Sequence, residues 1–168
     1  MLKHTFVSRD VELWAALYRT YIRPHLEFAV SSWNPFLRRD IDALEKVQRR
    51  VTRVPTALRD MDYESRLERM GLTSLETRRQ RGDLIQMFKV NKRKDTITWC
   101  NEPSWSVPRD TKRSQLRREI VASCQQRHNF FINRIANAWN GLPDSIVTTE
   151  TVDSFKIKLD QLYLRRPL

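Results

Sequence analysis

The chain contains little glycine, little cysteine and no long apolar run, and each shortage excludes a class of protein. Only three glycines occur in 168 residues, so the glycine-rich phosphate loops of nucleotide-binding folds are absent. Cys100 and Cys124 are the only cysteines and are too widely spaced for a disulfide framework. No segment approaches the roughly 20 apolar residues of a transmembrane helix, and no charged-then-apolar signal region opens the chain. These shortages predict a soluble intracellular protein that does not contact a membrane; they leave nucleus and cytoplasm as alternatives.

Positive charge is what the chain has in excess. Lysine and arginine total 31 against 20 acidic residues, which gives a net charge of +11 and predicts a polyanionic partner. The chain is 40% hydrophobic and carries five tryptophans and seven phenylalanines, a composition that a disordered basic tail lacks. We therefore expect the charge on a folded body of one domain with a subdomain.

The stretch from Asp40 to Val54 is the most informative, because its apolar and basic residues both follow a helical period. The apolar set is Ile41, Leu44, Val47, Val51 and Val54. The basic set, offset by about half a turn, is Lys46, Arg49, Arg50 and Arg53. The pattern predicts a helix with one face in the core and the other turned to successive phosphates. The alternative is a solvated face, balanced by acidic residues at the start of the helix.

Helical patterns dominate the rest of the chain and predict a mainly α fold. The N-terminal helices are expected from Asp10 to a break at Pro24, from Pro24 to Trp33, from Tyr63 to Met70 with Gly71 as terminator, and from a capping box at Thr73–Glu76 to about Asn91. Beyond a basic, irregular stretch, the C-terminal elements are expected to be a short strand over Leu116–Ala122, a helix over Asn129–Trp139 and a terminal helix from Val152. The expected organisation is therefore residues 1–91, a basic linker or loop at 92–115, and a smaller helical subdomain at 116–168.

Two further basic clusters are candidates for contacting RNA. The first is Arg78, Arg79 and Arg81 with Lys89, Lys92, Arg93 and Lys94. The second is Lys112, Arg113, Arg117, Arg118 and Arg127. Trp99 and Trp105 lie in the basic loop, where they are candidates for stacking on single-stranded bases or, alternatively, for packing on the core. Lys92–Lys94 also fits a nuclear-localisation patch.

Metal and catalytic sites are not indicated. No Asp-Asp pair occurs, and the acidic residues between Asp60 and Glu68 fit the start of a helix better than a metal site. Cys124 and His128 stand four apart but lack the partners of a structural zinc site. We expect no catalytic residue, no metal and no cofactor.

Three sequence blocks resemble non-LTR retrotransposon (LINE) reverse transcriptases of the jockey-like kind. The first block comprises Tyr21, Arg23, Pro24, His25, Leu26, Glu27, Phe28, Trp33, Pro35 and the segment DIDALEKVQRR from Asp40. The second comprises Tyr63–Leu67, Gly71, Leu72, Ser74, Leu75, Glu76, Arg78, Arg79 and Arg81–Leu84. The third comprises Phe130, Phe131, Asn133, Arg134, Trp139, Asn140, Leu142, Pro143, Val152, Ser154, Phe155, Lys156 and Leu159. Together the blocks span nearly the whole chain in the family's order.

The resemblance implies a thumb-like helical bundle and the region downstream of it, without the fingers and the palm that carries the catalytic aspartates. Such a fragment would bind RNA or an RNA-DNA hybrid beside the missing palm but would not polymerise. Lys46, Arg49, Arg50 and Arg53 are the expected phosphate contacts, with Arg78, Arg79 and Arg81 second.

Two alternatives remain open at this point. In one, the chain is a co-opted interaction module, whose surface of Leu13, Trp14, Leu17 and Tyr18 binds a protein partner or a second copy. In the other, it is a decayed remnant without a nucleic-acid role.

Overall fold

The computed structural model describes residues 6–99, 102–107 and 113–164 and confirms a mainly helical fold. The chain divides into two compact units, Met1–Arg79 and Gln80–Leu168. The first unit holds α1 (Val11–Leu17), a π-helical segment (Tyr18–Ile22), α2 (Arg23–Glu27), α3 (Arg38–Thr52), a 3₁₀ turn (Thr56–Leu58), α4 (Tyr63–Arg69) and the start of α5 (Leu75–Asn91). The second holds the rest of α5, then β1 (Trp105–Ser106), β2 (Gln115–Leu116), α6 (Gln125–His128), α7 (Phe131–Asn140), α8 (Asp144–Val147) and α9 (Val152–Leu164).

The first helical run does not end at Pro24, contrary to the sequence-based prediction. Asp10 caps α1 as expected, its carboxylate accepting a hydrogen bond from the amide of Leu13 at 2.9 Å. The run then widens into π-helical pairing, in which the Arg23 amide donates to the carbonyl of Tyr18 five residues back. Because proline lacks an amide donor and its ring crowds the preceding turn, a widened turn before Pro24 allows the chain to stay helical through Glu27.

The predicted second helix therefore ends at Glu27 and does not reach Trp33. Ala29 follows in the left-handed region, with φ of 48°, which stops the helix. The carbonyl of Ala29 accepts hydrogen bonds from the amides of Ser32 and Trp33 at 2.9 and 3.1 Å. Residues 28–37 thus form a turn and an irregular connection that leads into α3.

The ends of α4 and α5 follow ordinary capping chemistry. Gly71 adopts φ of 58°; its amide donates to Glu68 at 2.9 Å, and the Leu72 amide donates to Leu67 at 2.8 Å, which is the paired arrangement expected of a glycine terminator. The predicted pairing of Thr73 with Glu76 is wrong in detail. The Ser74 hydroxyl accepts instead from the Thr77 amide at 3.2 Å, because Ser74 is the residue directly before the first helical position.

The second unit has its own apolar core, and that core explains why the division between the two units falls inside α5. Leu84, Met87 and Phe88 of α5 are fully buried in the same cluster as residues of α7 and α9. Phe88 stacks on Phe155 with ring centroids 4.3 Å apart. Since most of α5 buries its apolar side chains with the C-terminal helices, it folds with them and not with the N-terminal helices.

The predicted strand over Leu116–Ala122 is only two residues long. Gln115–Leu116 pairs antiparallel with Trp105–Ser106. Two asparagines of α7 then hold the following backbone: Asn140 exchanges two hydrogen bonds with Leu116 at 2.9 and 3.0 Å, and Asn133 exchanges two with Glu119 at 2.7 and 3.2 Å. Side-chain amides thus replace the partner strand that would otherwise extend the sheet.

Candidate nucleic-acid interface

The basic row of α3 is exposed, as its helical spacing predicted. Lys46, Arg49, Arg50 and Arg53 are all exposed, and the observed helix, Arg38–Thr52, matches the predicted one to within two residues at each end. From Lys46 to Arg53 the row covers two helical turns, roughly 10 Å along the axis. Phosphates of one strand recur about every 3.4 Å along a duplex axis, so the row matches about three of them.

The charges of this row remain available, unlike those at the start of the same helix. Arg38 pairs with Asp42 at 3.2 Å and Arg39 with Asp40 at 3.3 Å. Within the part of the chain that the structure describes, Lys46, Arg50 and Arg53 make no ion pair; the Arg49 guanidinium lies over the Tyr63 ring, 4.8 Å from its centroid. The second half of α3 is therefore a cationic surface without local neutralisation.

A buried arginine that the sequence reasoning missed adds to this positive field. Arg66 of α4 is 2% exposed; it donates to the Thr52 hydroxyl at 3.2 Å and to the Met61 carbonyl at 2.6 Å. Among the described residues it has no carboxylate within ion-pair distance. Burial lowers the pKa of Arg66, and the nearby Arg53 lowers it further. The guanidinium remains charged, so a cation lies beneath the row; only its position between α3 and α4 could have revealed it.

The inner face of α3 is mixed: Val51 lies in the core and Val54 packs against it as predicted, but Val47 departs from the predicted apolar face and two polar side chains are buried instead. Val47 is 39% exposed, while Glu45 and Gln48 are buried. Glu45 accepts a hydrogen bond from the Tyr63 hydroxyl and another, at 3.1 Å, from the Leu75 amide at the start of α5. Gln48 accepts from the buried Tyr18 hydroxyl and donates to the Thr73 carbonyl at 2.9 Å. These polar groups can be buried because each finds a partner on a neighbouring element.

The second predicted set, Arg78, Arg79 and Arg81, has its donors engaged within the protein. Arg78 forms a two-pronged pair with Glu27, and Arg81 forms one with Asp160 at 2.5 and 2.8 Å. Arg79 is 3% exposed, donates to Asn34 and Trp33 at 2.8 Å and lies over the Trp33 ring, 4.0 Å from its centroid. These contacts stabilise each unit, and the role of the three in nucleic-acid binding stays a prediction.

The other basic clusters are divided between structural and exposed positions. Arg113 donates to the carbonyls of Leu142 and Asn140, both at 2.7 Å, near the end of α7. Arg117, Arg118 and Arg127 are exposed, whereas Lys112 lies outside the described residues. Trp99 and Trp105 are half-buried and pack against the core of the second unit, the alternative to stacking that the sequence left open. Lys92 lies over the Phe88 ring, 5.7 Å from its centroid.

The surface expected for a protein partner is buried. Trp14, Leu17 and Tyr18 belong to the core of the first unit, because the helix that carries them packs against α3 and α4. Large exposed apolar side chains occur instead at Tyr21, Phe28, Trp33, Phe36 and Leu37. We call this set the N-terminal apolar surface.

Within residues 6–99, 102–107 and 113–164, no group of three His, Cys, Asp or Glu side chains is placed to hold a metal ion. Asp62, one of the acidic residues considered for such a site, caps α4 by accepting from the Ser65 amide at 3.2 Å, and its hydrogen bonds to Ser65 lower its pKa. None of the described helices combines the length and apolar character needed to cross a bilayer. Cys124 is a free, exposed thiol, and Cys100 lies outside the described residues.

Comparisons of the chain with protein-family models, with curated proteins and with solved structures give no match. The case for a function therefore depends on the residues themselves.

Proposed function

We propose that the chain binds the phosphate backbone of RNA or an RNA-DNA hybrid through the basic face of α3. The observation that carries this proposal is the exposed row of Lys46, Arg49, Arg50 and Arg53, in which no ion pair among the described residues neutralises the cations. Buried Arg66 adds a further positive charge between α3 and α4. In a chain of net charge +11, such a face attracts polyanions over a distance and holds them by many weak contacts.

The sequence resemblance supplies the biological setting of the proposal. The chain would be the thumb-like and C-terminal part of a LINE-type reverse transcriptase, noncatalytic by itself and working beside a palm and fingers that it does not include. Its role would be to hold template and primer, for which contacts to phosphates suffice and contacts to bases are not needed. Arg78, Arg79 and Arg81 remain a second, weaker set in this proposal.

The test is the salt dependence of binding. Each phosphate neutralised on a duplex contributes about 0.9 to the slope of log K against log salt. Replacing Lys46, Arg49, Arg50 and Arg53 by alanine should therefore weaken binding to an RNA-DNA hybrid and reduce the slope by about 3, the value for about three phosphates. The loss should be the same for hybrids of unrelated sequence. Fluorescence anisotropy at several salt concentrations measures both quantities.

A matched control exists on the same helix. Arg38 and Arg39 are also exposed but are paired with acidic residues, so their replacement by alanine should change the slope much less. A slope that falls by the same amount per replaced cation in both variants, or falls in neither, would contradict the assignment to the second half of α3.

A second candidate function is protein interaction, because the N-terminal apolar surface exposes several large side chains close together in sequence. Phe28 is 73% exposed, and exposed apolar side chains mark interaction sites when they form a patch. If the chain is an interaction module, it should self-associate or bind a protein partner without affinity for RNA. Size-exclusion chromatography of the Phe28→Ser variant beside an RNA titration separates the two functions, since only self-association through this surface would be lost in the variant.

A further inference from the structure

A groove in the second unit has the size and lining of a binding site. Its volume is about 660 Å³, within the roughly 300 to 1,000 Å³ of typical ligand pockets. One wall comes from the segment before β1, with Ile97 and Trp99; the other comes from the backbone after β2 and from the start of α7, with Phe130. All of these residues belong to one compact unit.

Aromatic rings line the groove from both walls. Phe130 is 51% exposed, although it directly precedes α7 and neighbours the buried Phe131. Trp99 packs partly on the core and also lines the groove. An aromatic residue half in solvent at the rim of a groove provides a flat face on which another ring can stack.

The charge around the rings is positive. Arg117, Arg118 and Arg127 line the groove against Glu102 and Glu119, which leaves a net positive lining. Arg127 is paired with Glu119 and Arg118 lies 3.1 Å from the His128 ring. Arg117 is exposed, and among the described residues it has no ion-pair partner.

The wall that carries these arginines is held in place. Asn133 grips the backbone of Glu119 through both of its amide atoms, and the Arg117 amide donates to the Ser104 carbonyl at 2.8 Å. Arg117 and Arg118 therefore project from a backbone that hydrogen bonds fix on either side, which reduces the entropy lost on binding.

From these observations we propose that the groove binds an unpaired nucleotide of single-stranded RNA, with the base stacked on Phe130 and the phosphate near Arg117. A nucleotide joins a planar base to an anionic phosphate, and the groove offers aromatic side chains for the base and arginines for the phosphate. An acidic peptide would satisfy the arginines but would leave the rings without a stacking partner. This site is separate from the basic face of α3 and does not depend on it.

The test uses the whole chain and two labelled RNAs, oligouridine and an abasic oligomer with the same number of phosphates. The wild-type chain should bind oligouridine more tightly than the abasic strand, and Phe130→Ala should reduce that preference by roughly 5- to 150-fold, the range for loss of one stacked base. Phe130→Tyr should retain it. Ile157→Ala removes a side chain of similar exposure (59%) that does not line the groove, and it should change nothing.

The outcomes separate this proposal from the proposed function. An equal affinity of the wild-type chain for both strands, or an unchanged preference in Phe130→Ala, would overturn the groove assignment. Neither of these results concerns hybrid binding by α3. Conversely, the alanine variant of the α3 row should lose affinity for both oligomers equally and keep the base preference that the groove provides.

Discussion

Asp83 of α5 accepts two hydrogen bonds from Arg134 of α7, both 2.8 Å long. The Asp83 side chain is 2% exposed and that of Arg134 is 15% exposed. Water therefore has little access to the pair and does not compete for its hydrogen bonds. Arg134→Met should destabilise the second unit by about 3 to 5 kcal/mol, because it leaves a buried carboxylate without its cation. Urea unfolding at neutral pH measures the loss.

The control for this prediction is Arg117→Met in the same unit. Arg117 is exposed, so its replacement should change the free energy of unfolding by less than about 0.5 kcal/mol. Equal losses in the two variants would show that arginine content, and not the buried pair, sets the stability.

The two asparagines of α7 lead to a prediction about local opening. Asn140→Leu removes both hydrogen bonds to Leu116 and should speed hydrogen exchange at the Leu116 amide about 5- to 150-fold, as expected when about 1 to 3 kcal/mol of protection is lost. Asn140→Asp keeps the acceptor for that amide and should give a smaller increase. The Glu119 amide, held by Asn133, should change less; equal changes at both amides would mean that the segment opens as one unit.

From buried Tyr18 and half-buried Tyr63 we expect a loss of stability at alkaline pH. Burial raises the pKa of Tyr18 and of Tyr63 well above the usual value near 10, and for Tyr63 the hydrogen bond to Glu45 adds to the shift. The neutral hydroxyls therefore stabilise the fold fully below about pH 10, and this contribution is lost as the pH rises above that value, since the unfolded chain ionises first. Tyr63→Phe should cost about 1 to 3 kcal/mol at pH 7 and should show a smaller further loss between pH 9 and 11. Denaturant unfolding over that range checks both; a parallel decline in the variant and the wild type would contradict the role of Tyr63.

Arg79 should contribute more to the stability of the fold than to RNA binding. Arg79→Met removes donors to Asn34, Trp33 and Leu26 and should lower the free energy of unfolding by about 2 to 4 kcal/mol. The salt slope of RNA binding by the folded variant should fall by less than the value of about 0.9 that one full phosphate contact contributes. Gln80→Met, at the exposed neighbouring position, is the control. A slope that falls in Arg79→Met without a loss of stability would instead make Arg79 a phosphate contact.

Helical period predicted the parts of the fold that depend on local chemistry. The limits of α3, its outward cations and the terminating role of Gly71 follow from spacing and capping alone. Pro24 shows the limit of local rules, because its effect depends on whether the preceding turn widens, as it does over Tyr18–Ile22, and no local sequence pattern predicts this. The boundary between the two units could not be predicted either, because it depends on which distant side chains bury Phe88.

Only the outward-facing cations of the candidate site were predictable from the sequence. The positions of Lys46 and Arg50 follow from the period of α3, whereas Gln48 and Glu45 appear from the sequence to be solvated polar residues. Their burial depends on hydroxyl and amide groups that other elements bring to them, which a single helix does not reveal. The groove beside Phe130 was hidden for the same reason, since its walls come from segments far apart in the chain.

A helix with an apolar underside can slip or rotate at little cost, because one methyl group replaces another. α3 cannot move in this way, because its inward-facing side chains form hydrogen bonds to Tyr18, Thr73, Tyr63 and Leu75. A rotation of the helix by one residue position would break all of these bonds. The direction in which its cations point is therefore fixed by the fold, so that the proposed binding of a nucleic-acid strand would require no rearrangement of α3.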